Sequence, residues 1–225
     1  MKTIFKLVDN KKTEELKAFL SVNVFDVNTI DKGEYNGMSP LYIAVFRGDV
    51  SIISILIENG ANPNLKHDDG RTVFHSACAL GKLDIVKTLI DIGSDDSIRD
   101  IDGRYPIHWA VQENCIDVIA LLLESNSLSV NYTDNEGKTP LHLASAFGYV
   151  DLIKYLLEHG SDVNAQDKEG MTPLMWGMLY EEIDGVKLLL DAGSDQSIKD
   201  FKGKGIYDYL NGSSNNDLLS LFDFK

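Results

Sequence analysis

The sequence predicts an all-α solenoid of helix-turn-helix units joined by short β-hairpin-like loops, and three observations carry that prediction. Gly37, Gly70, Gly103, Gly137, Gly170 and Gly203 follow one another at intervals of 33, 33, 34, 33 and 33 residues. After the first five a related phrase returns: Met38-Ser-Pro-Leu-Tyr42, Arg71-Thr-Val-Phe-His75, Arg104-Tyr-Pro-Ile-His108, Lys138-Thr-Pro-Leu-His142 and Met171-Thr-Pro-Leu-Met175. Later in each unit a second apolar stretch recurs, at 52–57, 85–90, 118–123, 152–157 and 186–190. A fixed period of this length marks stacked units, none of which buries its apolar face alone.

Each element follows from local chemistry. Ser or Thr followed by Pro is a helix start, with the hydroxyl as N-cap and Pro at N1, where a missing N–H is harmless. Leu41, Ala44 and Val45, and likewise Leu141, Ala144 and Ser145, then fall at helical spacing, and Gly48, Gly81 and Gly148 end this first helix. The second helix, for example 150–159, presents Leu152, Ile153, Leu156 and Leu157 as an apolar stripe. A Gly-(Ala/Ser)-(Asn/Asp) turn stops it at Gly60, Gly93, Gly160 and Gly193. An Asp/Asn-rich stretch leads to the next glycine, which suits a hairpin-like turn.

These residues resemble ankyrin repeats, whose hallmark is the 33-residue period with Thr-Pro-Leu-His opening the first helix, present verbatim at Thr139 to His142. The resemblance spans the chain. Full units are expected at 37–69, 70–102, 103–136, 137–169 and 170–202, with 1–36 and 203–225 as N- and C-terminal caps of one domain. The polar segment Asn10 to Lys17 and the loss of Thr-Pro after Gly203 fit end units that face water, and predict a complete solenoid. Unit 103–136 departs by Asn114 in place of the turn glycine and one extra residue around Ser125 to Ser127. Unit 170–202 carries Glu181 at that turn, and Gly177 and Gly185 inside its helices, each expected to weaken it by about 0.5–1 kcal/mol.

Composition narrows the function. Twenty-one Lys and Arg against 35 Asp and Glu give a net charge of −14 and a pI near 4.6, a field that repels nucleic acid and anionic membranes and attracts basic partners. The longest apolar run, Val118 to Leu123, is far short of the ~20 residues of a membrane span. No signal-type segment opens the chain, which predicts a cytoplasmic protein, also nuclear if the source is eukaryotic. Cys78 reads as a core residue and Cys115 as a turn residue, neither a disulfide framework nor a metal pair. Asn131 and Asn211 sit in chance glycosylation tripeptides. His75, His108 and His142 occupy equivalent positions about 8–10 Å apart in stacked units, too far to converge on a metal; the resemblance implies that each imidazole bonds its own unit's turn. No metal, cofactor or enzyme activity is expected.

What remains is a surface, because equivalent positions of stacked units line up as stripes. The resemblance implies that partners contact the hairpin tips and the exposed flank of the first helix. On this chain the tips are Tyr35 and Met38, Asp68, Asp69 and Arg71, Asp102 and Arg104, Glu136, Glu169 and Met171, and Phe201. The flank is Phe46 and Arg47, Leu80, Gln112 and Glu113, Phe147, and Leu179 and Tyr180. Aromatics rimmed by charge suit interface anchors, whereas Trp109 and Trp176, one position further in, read as core. The expected function is protein–protein recognition by the concave face of a monomer, as adaptor or assembly chaperone for a partner with a basic patch. A stoichiometric inhibitor or immunity protein against a basic toxin or enzyme is the alternative. A third is the targeting domain of a larger enzyme, because Gly170-Met-Thr-Pro-Leu-Met-Trp176 resembles a phrase in the ankyrin portion of some palmitoyltransferases.

Overall fold

A computed structural model describes residues 2–124, 129–210 and 215–222. The extra residue near Ser125 and the tripeptide at Asn211 lie outside the described residues. Fourteen helices and no strand are found among them. They run as α1 (Lys2–Asp9), α2 (Thr13–Val22), α3 (Pro40–Arg47), α4 (Val50–Glu58), α5 (Val73–Ala79), α6 (Leu83–Asp91) and α7 (Pro106–Gln112). Then follow α8 (Ile116–Glu124), α9 (Pro140–Ala146), α10 (Val150–Glu158), α11 (Pro173–Leu179), α12 (Ile183–Asp191), α13 (Ile206–Leu210) and α14 (Asn216–Ser220). The odd-numbered helices pack side by side as one layer, α1 on α3 through α11 on α13, and the even-numbered helices back them. The core lies between the layers: Ile4, Leu41, Phe74, Ile107, Leu141 and Leu174 from the first meet Ile53, Val86, Ile119, Ile153 and Val186 from the second.

The helix starts form as the sequence dictates. Ser39, Thr139 and Thr172 accept a hydrogen bond from the backbone N–H three residues on, which satisfies a donor the helix cannot. The turn after each first helix needs a left-handed residue, and Gly48, Gly81 and Gly148 supply it at φ 71°, 63° and 66°. Lys11, Asn114 and Glu181 adopt the same conformation at φ 56°, 54° and 59° without glycine's freedom. Asn tolerates it, but Glu does not. Glu181→Gly therefore should raise stability by about 1 kcal/mol, read as a higher urea midpoint; an unchanged midpoint would count against strain there.

The two helical glycines of unit 170–202 have a packing reason. A Cβ on Gly185 would stand 3.0 Å from Ile153 Cδ1, and one on Gly177 would stand 3.2 Å from Val186 Cγ2. Neighbouring side chains fill the space the glycines leave, so only the backbone-entropy cost remains.

Hairpins connect the units. In each, a residue donates its N–H to the carbonyl four residues on: His67 to Arg71, Asp100 to Arg104, Asp134 to Lys138, Asp167 to Met171 and Asp200 to Lys204, at 2.9–3.1 Å. Adjacent hairpins are joined by one backbone bond: Ile101 N–H to Asp69 O, Asn135 to Asp102, Lys168 to Glu136 and Phe201 to Glu169. The first hairpin is three residues longer, with Asp31 N–H reaching Met38 O at 3.0 Å. There His67 Nδ1–H donates to Gly37 O at 2.9 Å instead.

Candidate protein interface

Asp at the start of four hairpins organises the face formed by the hairpins and the first helices. One carboxylate oxygen of Asp100 accepts the N–H groups of Asp102 and Arg104 at 2.9 and 2.8 Å, closing the turn. Asp134, Asp167 and Asp200 repeat this bond pair. The second oxygen reaches the first helix: Trp109 Nε1–H donates to Asp100 at 2.9 Å, Trp176 Nε1–H to Asp167 at 2.8 Å and Tyr209 O–H to Asp200 at 2.8 Å. At Asp100, Asp167 and Asp200 the carboxylate thus has both oxygens hydrogen-bonded and ties the aromatic ring to its hairpin.

Cations from the same or the preceding hairpin cover the two Trp rings. The Arg71 guanidinium lies 4.6 Å and the Arg104 guanidinium 5.7 Å from the Trp109 ring centre, and Lys138 Nζ lies 4.4 Å from Trp176. Trp109 and Trp176 are thus half-buried beneath these cations rather than fully enclosed, and Trp176 also packs against the hydrophobic core. A Trp or Tyr nine residues after a hairpin Asp is the signal that finds them.

The three histidines do more than bond their own turn. His75 Nδ1 accepts the Thr72 N–H at 3.1 Å, and its Nε2–H donates to Arg104 O of the next unit at 3.3 Å. His142 likewise links Thr139 to Met171 O, and His108 links Tyr105 to Lys138 O. Burial lowers all three pKa values, that of His75 to about 4. Among the described residues no group of His, Cys, Asp and Glu is arranged to hold a metal ion.

The expected contact residues divide by exposure. Phe46, Leu80, Phe147, Leu179, Tyr180 and Phe201 are 40–73% exposed. Asp68, Asp102, Glu113, Glu136 and Glu169 are exposed, as is Arg47, which pairs with Asp9. Asp69, Arg71, Arg104 and Gln112 are half-buried in mutual contacts: Arg71 binds Asp69 at 2.5 Å, and Arg104 binds Gln112 at 3.1 Å. Tyr35 and Met38 are half-buried, Tyr35 stacking on Phe5 with ring centres 5.4 Å apart. Met171 is only 6% exposed and so cannot serve as a contact. Its thioether, unlike the charged ends of Arg71 and Lys138 at the equivalent position, has no need of water.

The face ends in two apolar regions. Tyr35, Met38, Ile43 and Phe46 line an open cavity of about 330 Å3 beside the Asp9–Arg47 pair. Phe147 stacks on Tyr149 at 5.4 Å, and Tyr180 stacks on Trp176 at 5.8 Å. Between them Gln112 and Glu113 replace the apolar flank.

A family model described as ankyrin repeats (3 copies) matches residues 4–100, 91–167 and 126–200. Alpha-latrocrustotoxin-Lt1a of Latrodectus tredecimguttatus is 31% identical over 127 residues, which is 56% of this chain and 7% of the toxin. The putative ankyrin repeat protein FPV230 of fowlpox virus is 29% identical over 155 residues, 69% of this chain and 81% of the viral protein. The chain thus spans about a tenth or less of the first relatives it matches. The ankyrin repeat domain of Bcl-3, a member of the IkappaB protein family, superposes with a TM-score of 0.84 at 22% identity, covering 98% of this chain and 97% of that one. Ankyrin repeats are generally modules of protein–protein interaction, typically without catalysis of their own. The repeated phrase, the paired helical layers and the matched family model together make this chain a member of the ankyrin repeat family.

Proposed function

We propose that this chain is a non-enzymatic recognition module that binds a basic partner protein through its concave face, as an adaptor or assembly chaperone. One observation carries the reading. Arg71, Arg104 and Lys138 are engaged internally, whereas exposed Asp68, Asp102 and Glu136 have no ion-pair partner among the described residues, and Phe46, Leu80 and Phe147 are exposed at the C-terminal ends of the first helices α3, α5 and α9. Unpaired acids steer a basic partner and exposed aromatics anchor it. Among the described residues no helix is long and apolar enough to cross a membrane. We place the protein in the cytoplasm on the same reading.

The combined change Phe46→Ala, Phe147→Ala, Tyr180→Ala should weaken partner binding by about 30-fold or more at unchanged circular dichroism. Affinity capture from native lysate, wild type against variant, checks it; prey retained by both would move the contact off this face. The net charge of −14 also suits a second reading, a stoichiometric inhibitor of a basic toxin or enzyme. Loss of the captured partner's own activity in the complex would favour that role.

A further inference from the structure

We infer that the concave face is a two-anchor site for one basic amphipathic helix of a partner protein, seated by apolar residues near each end and by Lys or Arg between them. This rests on the concave-face reading above and adds the shape and chemistry of the occupant. The apolar flank is not continuous. The first anchor is a cavity of about 330 Å3 with Tyr35, Met38, Ile43 and Phe46 on its apolar side and Asp9, Glu34, Asn36 and Arg47 on its polar side, which suits a large amphipathic side chain. The longer first hairpin creates it, because Asp31 Oδ2 accepts the Tyr35 N–H at 2.9 Å and holds that ring on Phe5. The second anchor is the pair of stacks Phe147–Tyr149 and Trp176–Tyr180.

Three unit steps separate Phe46 from Phe147, about 25–30 Å at the usual helix–helix spacing. That span equals about 17–20 residues of α-helix. The saddle between them is acidic, with Glu113 breaking the apolar flank and Asp68, Asp102 and Glu136 along the tips, while Leu80 and Ile101 leave exposed apolar surface within it. Arg71 is held by Asp69 and the Trp109 ring, and Arg104 by Gln112, the same ring and Asp134 at 4.0 Å, so neither forms an ion pair with those tip acids. Tip carboxylates one per unit, about 8–10 Å apart, match residues seven apart on a helix, about 10.5 Å. On an extended strand, residues three apart cover that distance but point to opposite faces.

The test uses a phage-displayed library of random 26-residue peptides selected on the full chain. Enriched peptides are synthesised and titrated by fluorescence anisotropy against wild type, Phe46→Ala, Phe147→Ala/Tyr180→Ala, and Asp68→Lys/Asp102→Lys/Glu136→Lys, each checked for folding by circular dichroism. The expected peptides carry two apolar clusters about 18 residues apart with Lys or Arg between them. Each anchor variant should lose at least tenfold in affinity, the charge variant at least 30-fold, and a central proline in the peptide should abolish binding. Peptides with one apolar cluster, an acidic middle, tolerance of the proline, or indifference to one anchor would overturn this inference while leaving the concave-face reading intact. Peptides indifferent to all variants, or no enrichment, would overturn both.

Discussion

Gly70→Ala should lower stability by about 2–3 kcal/mol, among the largest effects of any single methyl in this chain. Gly70 sits at φ +77°, where an alanine costs about 1–2 kcal/mol. Its Cβ would also stand 2.8 Å from Ile101 N, closer than real contacts allow, and a tight 3.1 Å from the Asp100 backbone. Those atoms belong to the next hairpin, whose Ile101 N–H is bonded to Asp69 O at 3.1 Å. Relieving the collision means lengthening that bond, about 1 kcal/mol more. Gly60→Ala is the control, because Gly60 has φ +88° with nothing near its would-be Cβ. Urea unfolding of both variants separates the terms: equal losses would show that unit-to-unit approach contributes nothing at Gly70.

Mild acid should destabilise the fold through its buried histidines. Burial holds His75 neutral, with a pKa of about 4 against an ordinary 6.5, despite its bond to the Arg104 carbonyl; His108 and His142 shift the same way. Above pH 6.5 the rings are neutral in both folded and unfolded chains and contribute no pH dependence. As pH falls below 6.5 the unfolded chain takes up protons that the folded chain refuses, so stability drops until the folded ring titrates near pH 4. For His75 alone the loss is about 2 kcal/mol by pH 5 and about 3 kcal/mol by pH 4. Protonation of the many carboxylates relieves repulsion over the same range, so the comparison is with His75→Gln, whose stability should fall less steeply between pH 6.5 and 5. Nuclear magnetic resonance of the His75 ring provides a direct check: a midpoint near 6.5 would refute the assignment.

Much of this was legible before any coordinates. The Thr-Pro start, the glycine turns and the apolar stripes are local signals, each set by a few adjacent residues, and the structure places α9 (Pro140–Ala146) and α10 (Val150–Glu158) where Thr139 and Gly148 put them. The face was legible only in part, because its character depends on contacts between units. Trp109 reads as core until Arg71, from the preceding unit, is seen across its ring. Met171 reads as a tip residue by analogy with Arg71, yet the absence of charge lets it turn inward. Tyr35 owes its place to a hairpin whose extra length leaves the 33-residue glycine spacing that follows it unchanged.

The joint between the first two hairpins bears on how the chain responds to pulling. Four later joints are riveted backbone to backbone, whereas this one hangs on the single imidazole of His67. Under tension the first joint should respond differently from the four that follow, because an imidazole contact depends on a side-chain rotamer that a backbone bond does not need.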